Sequence, residues 1–294
     1  MDVGGTGVFP QIVIVIIITA VIYILYMTSE QAYKIWNGYS SVKVPILTVT
    51  SSSSGGPKVF SQDPNNPQAK NYLPLSPSEN QLTGIEFSYS TFIYINSDTD
   101  DGTDGYRTLF YKGYPTSPFP LVSPGVFVSS GGSGNSTPTL RIMMNTYDSW
   151  FNPIDIPQIP YNKWFHLAMV VRSNAMEVYI NGNMAKKQSF KGTLPYQNYQ
   201  PLVLFPNSSA SGQKITIDNT SGSDINIMGV PPGQSMLVNG KFSGYLSNMF
   251  YYAYAMSYSE IQAALTLGPS STFDSSNMDM PPYLIDSWWT QKRA

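Results

Sequence analysis

The 294-residue sequence contains no cysteine, which excludes a disulfide framework and any thiolate metal site. The same absence favours a reducing compartment over an extracellular one. It contains one histidine, His166, so most zinc sites and histidine-dependent catalytic triads are also excluded. Strand alternation places His166 on the face opposite Leu167 and Met169. We therefore expect it to pack or to form a hydrogen bond rather than to catalyse a reaction.

Charge is scarce: 12% of the residues are charged and the net charge is -2. A nucleic-acid interface needs clustered Lys and Arg to displace counterions from the phosphates, so nucleic acid is excluded as a partner. In contrast, 21 Tyr, 23 Pro and 23 Gly are present. This composition is typical of an all-β protein with many turns.

One long apolar run stands near the N-terminus. After a short leader, residues 1–7, the segment from Val8 contains no charge up to Met27, and about 20 residues are enough to cross a ~30 Å hydrocarbon core. Tyr23 and Tyr26 lie near its end, as aromatic residues do at membrane interfaces. We predict a single transmembrane helix over residues 8–28, and hence a single-pass membrane protein. The residues expected to face lipid are Ile12, Ile16, Ile18, Ile22 and Leu25.

Two further questions about this segment are whether it is a cleaved signal peptide and how it is oriented in the membrane. A cleaved signal peptide is disfavoured, because the leader has no positive charge and no small-x-small cleavage site follows the run. The orientation stays open. Lys34 and Lys43 follow the span and no Lys or Arg precedes it, which places the C-terminal part in the cytosol. The Asn-x-Ser/Thr triplets at Asn135, Asn207 and Asn219 fit the opposite side.

Residues 161–192 carry the clearest β pattern. Phe165, Leu167, Met169 and Val171 alternate with other residues, and after a turn at 172–175 the alternation resumes at Met176. Asn181-Gly182 is a type I′ hairpin dipeptide, because both residues tolerate positive φ. The stretch predicts a three-stranded antiparallel meander.

Two motifs in this region resemble those of laminin G-like, concanavalin A-like domains. They are Trp164-Phe165-His166-Leu167-Ala168 and the MEVYING run of residues 176–182, and a later GYLSNMFYYAYAMS at 244–257 resembles the end of such domains. The resemblance implies an all-β, two-sheet antiparallel jelly-roll sandwich over residues 81–269. It also implies a binding role, with hydrolysis in glucanase relatives.

Further strands are expected from alternating or apolar runs, and one short helix is expected near the end of the domain. The predicted strands are residues 85–95, 107–113, 124–130, 139–145, 202–205, 215–218, 225–228 and 244–252. Ser257 and Glu260 form a capping box that predicts a helix over residues 258–267, stopped by Gly268-Pro269.

Two segments flank the predicted domain. Residues 29–80 are rich in Ser, Pro and Gly and predict a linker, with one strand expected at 42–49. The tail, residues 270–294, ends with Trp288-Trp289, whose large apolar area must be covered. Packing onto the sandwich and contact with a partner are both open for these tryptophans.

The sequence lacks the residues of a catalytic site. Glycoside hydrolysis needs two carboxylates across one sugar, and the glucanases carry alternating acids on one strand. The five glutamates here are scattered, and Glu177 is followed by Tyr179 and Asn181 where partner acids are needed. Phosphate loops, nucleophile elbows and HExxH motifs do not occur. We predict that the protein is not an enzyme and needs no cofactor.

One acidic loop could bind a metal. It contains Asp98, Asp100, Asp101 and Asp104 beside glycine, and carboxylate oxygens at this density hold Ca²⁺. The spacing is not that of an EF-hand, because the downstream Glu is missing. A solvated hairpin turn is the other interpretation, and it is favoured.

The combination of an anchor with an IPxxKW…VYINGN core and a PPYL…WW tail resembles minor capsid proteins of large icosahedral DNA viruses with an internal membrane. That resemblance implies a virion structural protein that links the membrane to the capsid shell, with the bilayer and other capsid or membrane proteins as partners. The alternative is a membrane-tethered lectin that binds glycans through exposed aromatic and amide side chains.

Overall fold

The computed structural model describes residues 8–36, 43–75, 86–100, 105–114, 121–129, 137–147, 152–190, 194–206, 215–218, 235–238 and 240–274. The chain divides into two units, Met1–Val42 and Lys43–Ala294. The strand predicted at residues 225–228 lies outside the described residues, as do Trp288 and Trp289.

The first unit contains one helix, α1 (Val8–Trp36). Its stretch from Ile12 to Ser29 has a mean hydropathy of 2.6 and is fully exposed, and among the described residues it is the helix long and apolar enough to cross a membrane. Thr19 and Thr28 donate their hydroxyl hydrogens to carbonyls four residues earlier, so these polar groups are satisfied within the helix. The five predicted lipid-facing residues are all exposed on α1.

The second unit is a β-sandwich with one α-helix. Its strands are β1 (Lys43–Leu47), β2 (Ser51–Ser52), β3 (Lys58–Phe60), β4 (Phe87–Ile95), β5 (Tyr106–Tyr114), β6 (Leu121–Ser129), β7 (Leu140–Met144), β8 (Asn152–Ile156), β9 (Trp164–Val171), β10 (Ala175–Ile180), β11 (Asn183–Ser189), β12 (Leu202–Leu204), β13 (Ile215–Asp218), β14 (Ser235–Val238) and β15 (Gly244–Tyr252). The helix is α2 (Tyr258–Leu267).

The strands form two sheets that pack face to face. The first sheet has the order β1-β15-β4-β9-β10-β11, with β2 also paired to β15. The second has the order β13-β14-β5-β6-β7-β8, and β12 joins β3 to β5. All pairs are antiparallel except β14 with β5. This is the predicted two-sheet antiparallel sandwich.

The core lies between the sheets and follows the period-2 pattern of the strands. In β9, Phe165, Leu167 and Met169 face the core and are fully buried. Across the sandwich, Leu140 and Ile142 of β7 belong to the same cluster. The alternation in the sequence therefore identified the buried face of the central strand correctly.

The predicted meander is confirmed as β9, β10 and β11. Ile180 pairs with Asn183, so Asn181 and Gly182 alone form the turn. Their φ angles are 49° and 77°, as a type I′ turn requires. A Cβ at Gly182 would lie 2.5 Å from Gln262 Nε2 of α2, the end of a flexible side chain that can shift, so it is the positive φ that makes glycine favourable there.

The predicted helix at 258–267 is confirmed as α2, with its capping box. Ser257 accepts a hydrogen bond from the Glu260 backbone N–H, and the Glu260 carboxylate accepts one from the Ser257 N–H. Ile261 of α2 is buried with Ala168 and Val170 of β9, on the face of the first sheet that points away from the core. The helix thus covers part of the outer face of this sheet.

The linker predicted over residues 29–80 is shorter than expected, while the strand expected within it at 42–49 is present as β1. Residues up to Trp36 continue α1, and the sandwich begins at β1 rather than near residue 81. Lys43–Leu47 pairs with β15, and Lys58–Phe60 pairs with β12. β3 has only three residues, and a strand this short is recognised only through a partner that lies far away in the sequence.

The C-terminal boundary also extends beyond residue 269. Thr50 forms a bridge with Phe273, and the Thr50 hydroxyl donates to the carbonyl of Ser270 at 2.7 Å. Lys58 forms an ion pair with Asp274. Residues 270–274 are therefore attached to the N-terminal strands of the sandwich.

Candidate functional site

The outer face of the first sheet carries polar and aromatic side chains at its centre. In β4, Ser88, Ser90, Phe92 and Tyr94 alternate with core residues and point to this face. Phe250 and Tyr252 of β15 lie opposite Ser90 and Ser88 in the pairing register. The face is therefore chemically mixed, unlike the apolar face beneath it.

A groove lies between this face and α2. We call it the α2 groove; its volume is about 280 Å³. Side chains from β1, β4, β15 and α2 line it: Lys43, Ser90, Asn248, Phe250, Tyr252, Tyr254, Glu260, Ala263, Ala264 and Leu267. It combines an aromatic wall, an aliphatic wall and several hydrogen-bonding groups.

The aromatic side chains of the groove, Phe250 and Tyr252, lie next to the ammonium group of Lys43. Lys43 Nζ lies 4.4 Å from the ring centroid of Phe250 and 5.5 Å from that of Tyr252. Both distances are within the range of a cation–π interaction. Burial, with a smaller contribution from the charge of Glu260, raises the pKa of Tyr252 to about 12, so its hydroxyl keeps its proton at physiological pH.

The Glu260 carboxylate is held by three neighbouring groups. It accepts hydrogen bonds from Tyr254 Oη at 2.6 Å, from Ser257 N at 2.8 Å and from Ser257 Oγ at 2.7 Å. Burial alone raises the pKa of this carboxyl, but the hydrogen bonds outweigh burial and hold the pKa below its usual value. Glu260 therefore stays ionised and accepts hydrogen bonds.

Ser90 lines the α2 groove and is fixed from behind by His166. Ser90 Oγ lies 2.8 Å from His166 Nε2, while Nδ1 of this buried ring has no hydrogen-bond partner among the residues that the structure describes. An unpaired buried acceptor costs less than an unpaired buried N–H, so we assign the proton to Nε2, which donates to Ser90. The Ser90 hydroxyl hydrogen is then available to a ligand in the groove.

The structure confirms the predicted packing role of His166. Its ring is fully buried, with its centroid 4.9 Å from that of Phe92. Burial lowers its pKa to about 4, because the protonated ring would have to be desolvated. The ring is neutral at physiological pH.

A second aromatic group occupies the same face, toward the other end of the strands. Tyr94, Trp164 and Tyr245 lie side by side on β4, β9 and β15, and Phe273 packs edge-on against Tyr245 at 6.0 Å. All four are half-buried and so expose part of each ring. Ser90 and Tyr94 are four residues apart, which corresponds to about 13 Å along a strand.

Glu177 lies on β10 of the same sheet, and its carboxylate is also held by neighbouring side chains. Its carboxylate accepts hydrogen bonds from Lys187 at 2.9 Å and Tyr179 at 3.2 Å, and Arg172 lies at 3.4 Å. Burial raises the pKa of Glu177, yet the bond from Lys187 and the two positive charges outweigh it, so that the pKa lies below the usual value. Glu177 therefore stays ionised and stabilises the fold through these contacts.

Half of the predicted calcium loop lies within the described residues. Asp98 occupies a single 3-10 turn, Ser97–Thr99, and both Asp98 and Asp100 are exposed. The Thr99 hydroxyl fixes this turn by donating to the carbonyl of Ser243 at 2.7 Å. Asp101 and Asp104 lie outside the described residues. Among those that are described, no group of three His, Cys, Asp or Glu side chains is placed to hold a metal.

The α2 groove was missed in the sequence because its residues come from positions 43, 90 and 248–267. Only the Ser257/Glu260 capping box marked its location, since it fixes where α2 begins.

A family comparison agrees with this architecture. The profile of the concanavalin A-like lectin/glucanases superfamily matches residues 67–262. The chain belongs to this superfamily. The laminin G-like, concanavalin A-like resemblance is thereby confirmed, and a binding role is consistent with a lectin-like superfamily. Comparison of the sequence with curated proteins finds no match.

Solved structures similar to this superfamily member include binding domains of botulinum neurotoxins. The receptor binding domain of the mosaic serotype C/D has 12% identity and a TM-score of 0.46, with 76% of this chain and 45% of that chain covered. The binding domain of neurotoxin DC in complex with SialylT has 13% identity and a TM-score of 0.41, with 62% and 35% covered. The serotype D domain in complex with N-acetylneuraminic acid has 12% identity and a TM-score of 0.41, with 66% and 38% covered. The chain spans less than half the length of each, and similarity at this level carries no inference about what it binds.

Proposed function

We propose that this protein is a non-catalytic, membrane-anchored binding protein. The observation that carries the proposal is the joining of two units in one chain. An apolar helix exposes every residue from Ile12 to Ser29, and a concanavalin A-like sandwich follows it. A fully exposed apolar helix of this length is stable in a bilayer and unfavourable in water.

The carboxylates on the outer face support a binding role over glycoside hydrolysis. The general acid of a glycosidase needs a raised pKa, so that it holds a proton at neutral pH. Glu177 and Glu260 both have lowered pKa values and are held by hydrogen bonds from neighbouring side chains. Neither is suited to donate a proton to a leaving sugar.

The α2 groove is the proposed ligand site, and carbohydrate is the ligand that its chemistry favours. The ring of Phe250 offers an apolar face for the C–H face of a sugar, while Ser90 donates a hydrogen bond and Glu260 accepts one. The aromatic group of Tyr94, Trp164 and Tyr245 extends the same face, so that a second sugar unit has a surface on which to stack.

Two measurements test this proposal. Alkaline carbonate should leave the full chain in the membrane fraction, and a chain lacking residues 1–36 should be soluble and folded. Binding of the soluble chain to a glycan array should weaken about tenfold on Phe250→Ala, since one aromatic contact is worth about 1.5 kcal/mol. Tyr147→Ala, an exposed aromatic outside the groove, is the matched control. Carbonate extraction of the full chain contradicts the anchor.

A second candidate function is a structural link between an internal viral membrane and the capsid shell. It is favoured by the resemblance of the Ile159–Asn183 core and the Trp288-Trp289 tail to viral minor capsid proteins. In this role the helix holds the bilayer and the sandwich or tail holds a shell protein. The test is whether the chain copurifies with virus particles after stripping of host membranes. Recovery only with host membranes contradicts it.

A further inference from the structure

An exposed aromatic surface lies at one end of the sandwich, and none of its residues lines the α2 groove. Its members, which we call the tyrosine patch, are Tyr114, Tyr147, Leu194 and Tyr199. They are exposed by 57%, 60%, 39% and 66%. Large apolar side chains at this level of exposure are unfavourable in water when clustered, and such clusters mark interaction surfaces.

Hydrogen bonds bring these side chains together. The segment 194–201 lies across the ends of two strands: Tyr147 N donates to the carbonyl of Leu194, and Gly113 N donates to the carbonyl of Pro201, each at 3.1 Å. The ring of Tyr147 also packs edge-on against Tyr196 at 5.2 Å. The patch is therefore supported by a backbone framework and is not a set of unrelated side chains.

The described part of the patch carries almost no charge. Across residues 112–114, 144–147 and 194–201, the one charged side chain is Lys112, and it is buried. Tyrosine, leucine and uncharged amides remain at the surface. Tyrosine is enriched at membrane–water interfaces, where its ring is apolar and its hydroxyl stays hydrated.

The patch also lies at the end of the sandwich where the chain enters from α1. Gln197 Nε2, in the 194–201 segment, donates to Tyr251 Oη at 2.7 Å. Tyr251 pairs with Val44, the second residue of β1. Only six residues separate Trp36 of α1 from Lys43 of β1, and this step spans at most about 25 Å.

From these observations we infer that the tyrosine patch binds the interfacial region of the bilayer in which α1 is anchored. The inference rests on the proposed membrane anchor. A second contact with the same membrane forms at high effective concentration, so each exposed side chain needs to contribute only a little. The sandwich is then held at the membrane surface by two attachments.

The absence of cysteine makes the test direct, because a single introduced cysteine is the only labelling site. Full-length Tyr199→Cys is labelled with an environment-sensitive fluorophore and reconstituted in phosphatidylcholine vesicles that contain a lipid with a quencher near its headgroup. Tyr147→Cys is the second test position. Met184→Cys is the matched control, because Met184 is 52% exposed but lies on β11, at the opposite border of the first sheet from β1.

The expected result is at least twofold lipid quenching at positions 147 and 199, with little at 184. Equal and weak quenching at all three positions overturns the inference. A blue shift at 199 without lipid quenching also overturns it and points to a protein surface as the occupant. Flotation of the same vesicles distinguishes failure of the patch contact from failure of the membrane anchor. A chain that floats without quenching supports the anchor and contradicts the patch contact. A chain that does not float contradicts both.

Discussion

Ser90 Oγ and His166 Nε2 lie 2.8 Å apart, and this contact joins the buried outer face of β9 to the α2 groove. Because the described residues offer no partner to Nδ1 of this ring, the neutral ring carries its proton on Nε2, and Nε2 donates to Ser90. A neutral ring leaves the Ser90 hydroxyl free for a ligand, so the groove depends on a residue that does not line it.

The pH dependence of His166 follows from its burial. The folded pKa of about 4 is lower than the ordinary value of 6.5. The unfolded chain therefore binds a proton that the folded chain does not, and stability falls as pH drops from 6.5 to about 4, by roughly 3 kcal/mol at most. NMR titration of the single histidine measures this directly. A midpoint near pH 6.5 in the folded protein contradicts the prediction, and His166→Gln should remove this part of the pH dependence.

Lys112 has an effect of the same sign in a higher pH range. Burial lowers its pKa to about 8, against 10.5 for an exposed lysine, and its Nζ donates to the carbonyl of Asn198. Stability should therefore rise with pH between 8 and 10.5, by roughly 3 kcal/mol at most. Lys112→Met should be more stable than the natural chain at pH 7 and should lose this rise. Urea unfolding at pH 7 and pH 10 checks it, and parallel curves for the two proteins contradict it.

Glu260→Gln should weaken the attachment of α2. It replaces the carboxylate that accepts bonds from Ser257 and Tyr254 with a neutral amide, and the loss of these charge-assisted bonds is expected to cost about 1–2 kcal/mol. The melting temperature of the soluble chain measures the effect. Ser259→Ala, in the same turn, is the control. Equal melting temperatures for Glu260→Gln and Ser259→Ala contradict the prediction.

The calcium loop has its own test. If Asp98, Asp100, Asp101 and Asp104 bind calcium together, calcium raises the melting temperature of the natural chain, and Asp98→Asn with Asp100→Asn abolishes the rise. A melting temperature of the natural chain that is insensitive to calcium supports the solvated turn instead. A rise that persists in the double variant places the ion elsewhere.

The tail tryptophans are predicted to contact a partner. Trp288→Ala with Trp289→Ala should leave membrane insertion and the melting temperature nearly unchanged and reduce incorporation into the assembly. Differential scanning calorimetry and quantification in purified particles provide the two readouts. A melting temperature lowered by several degrees means that the tail packs onto the sandwich and that its partner role is wrong.

The sequence predicted those elements whose signals are local. The meander at 164–189 has alternation on both sides of a two-residue turn, and α2 has its capping box within four residues. β1 was expected as a strand at 42–49, whereas β3 was missed because it pairs with β12, about 140 residues away, and looks like linker when considered alone. The α2 groove was missed for the same reason.

The shortened linker changes the expected reach of the sandwich. A tether of about 50 residues implied a flexible separation of about 35–45 Å from the bilayer. Only residues 37–42 lie between α1 and β1 in the sequence, and this stretch spans at most about 25 Å.

The first sheet ends in β1 on one side and β11 on the other. β1 contains Pro45, which has no N–H to offer a further strand, and β11 exposes Lys186 and Lys187. Molecules confined to one membrane plane meet one another far more often than molecules in solution. With one N–H missing at the β1 border and exposed lysines at the β11 border, pairing with a further strand is disfavoured at both edges, and we expect copies confined to one membrane to resist edge-to-edge association.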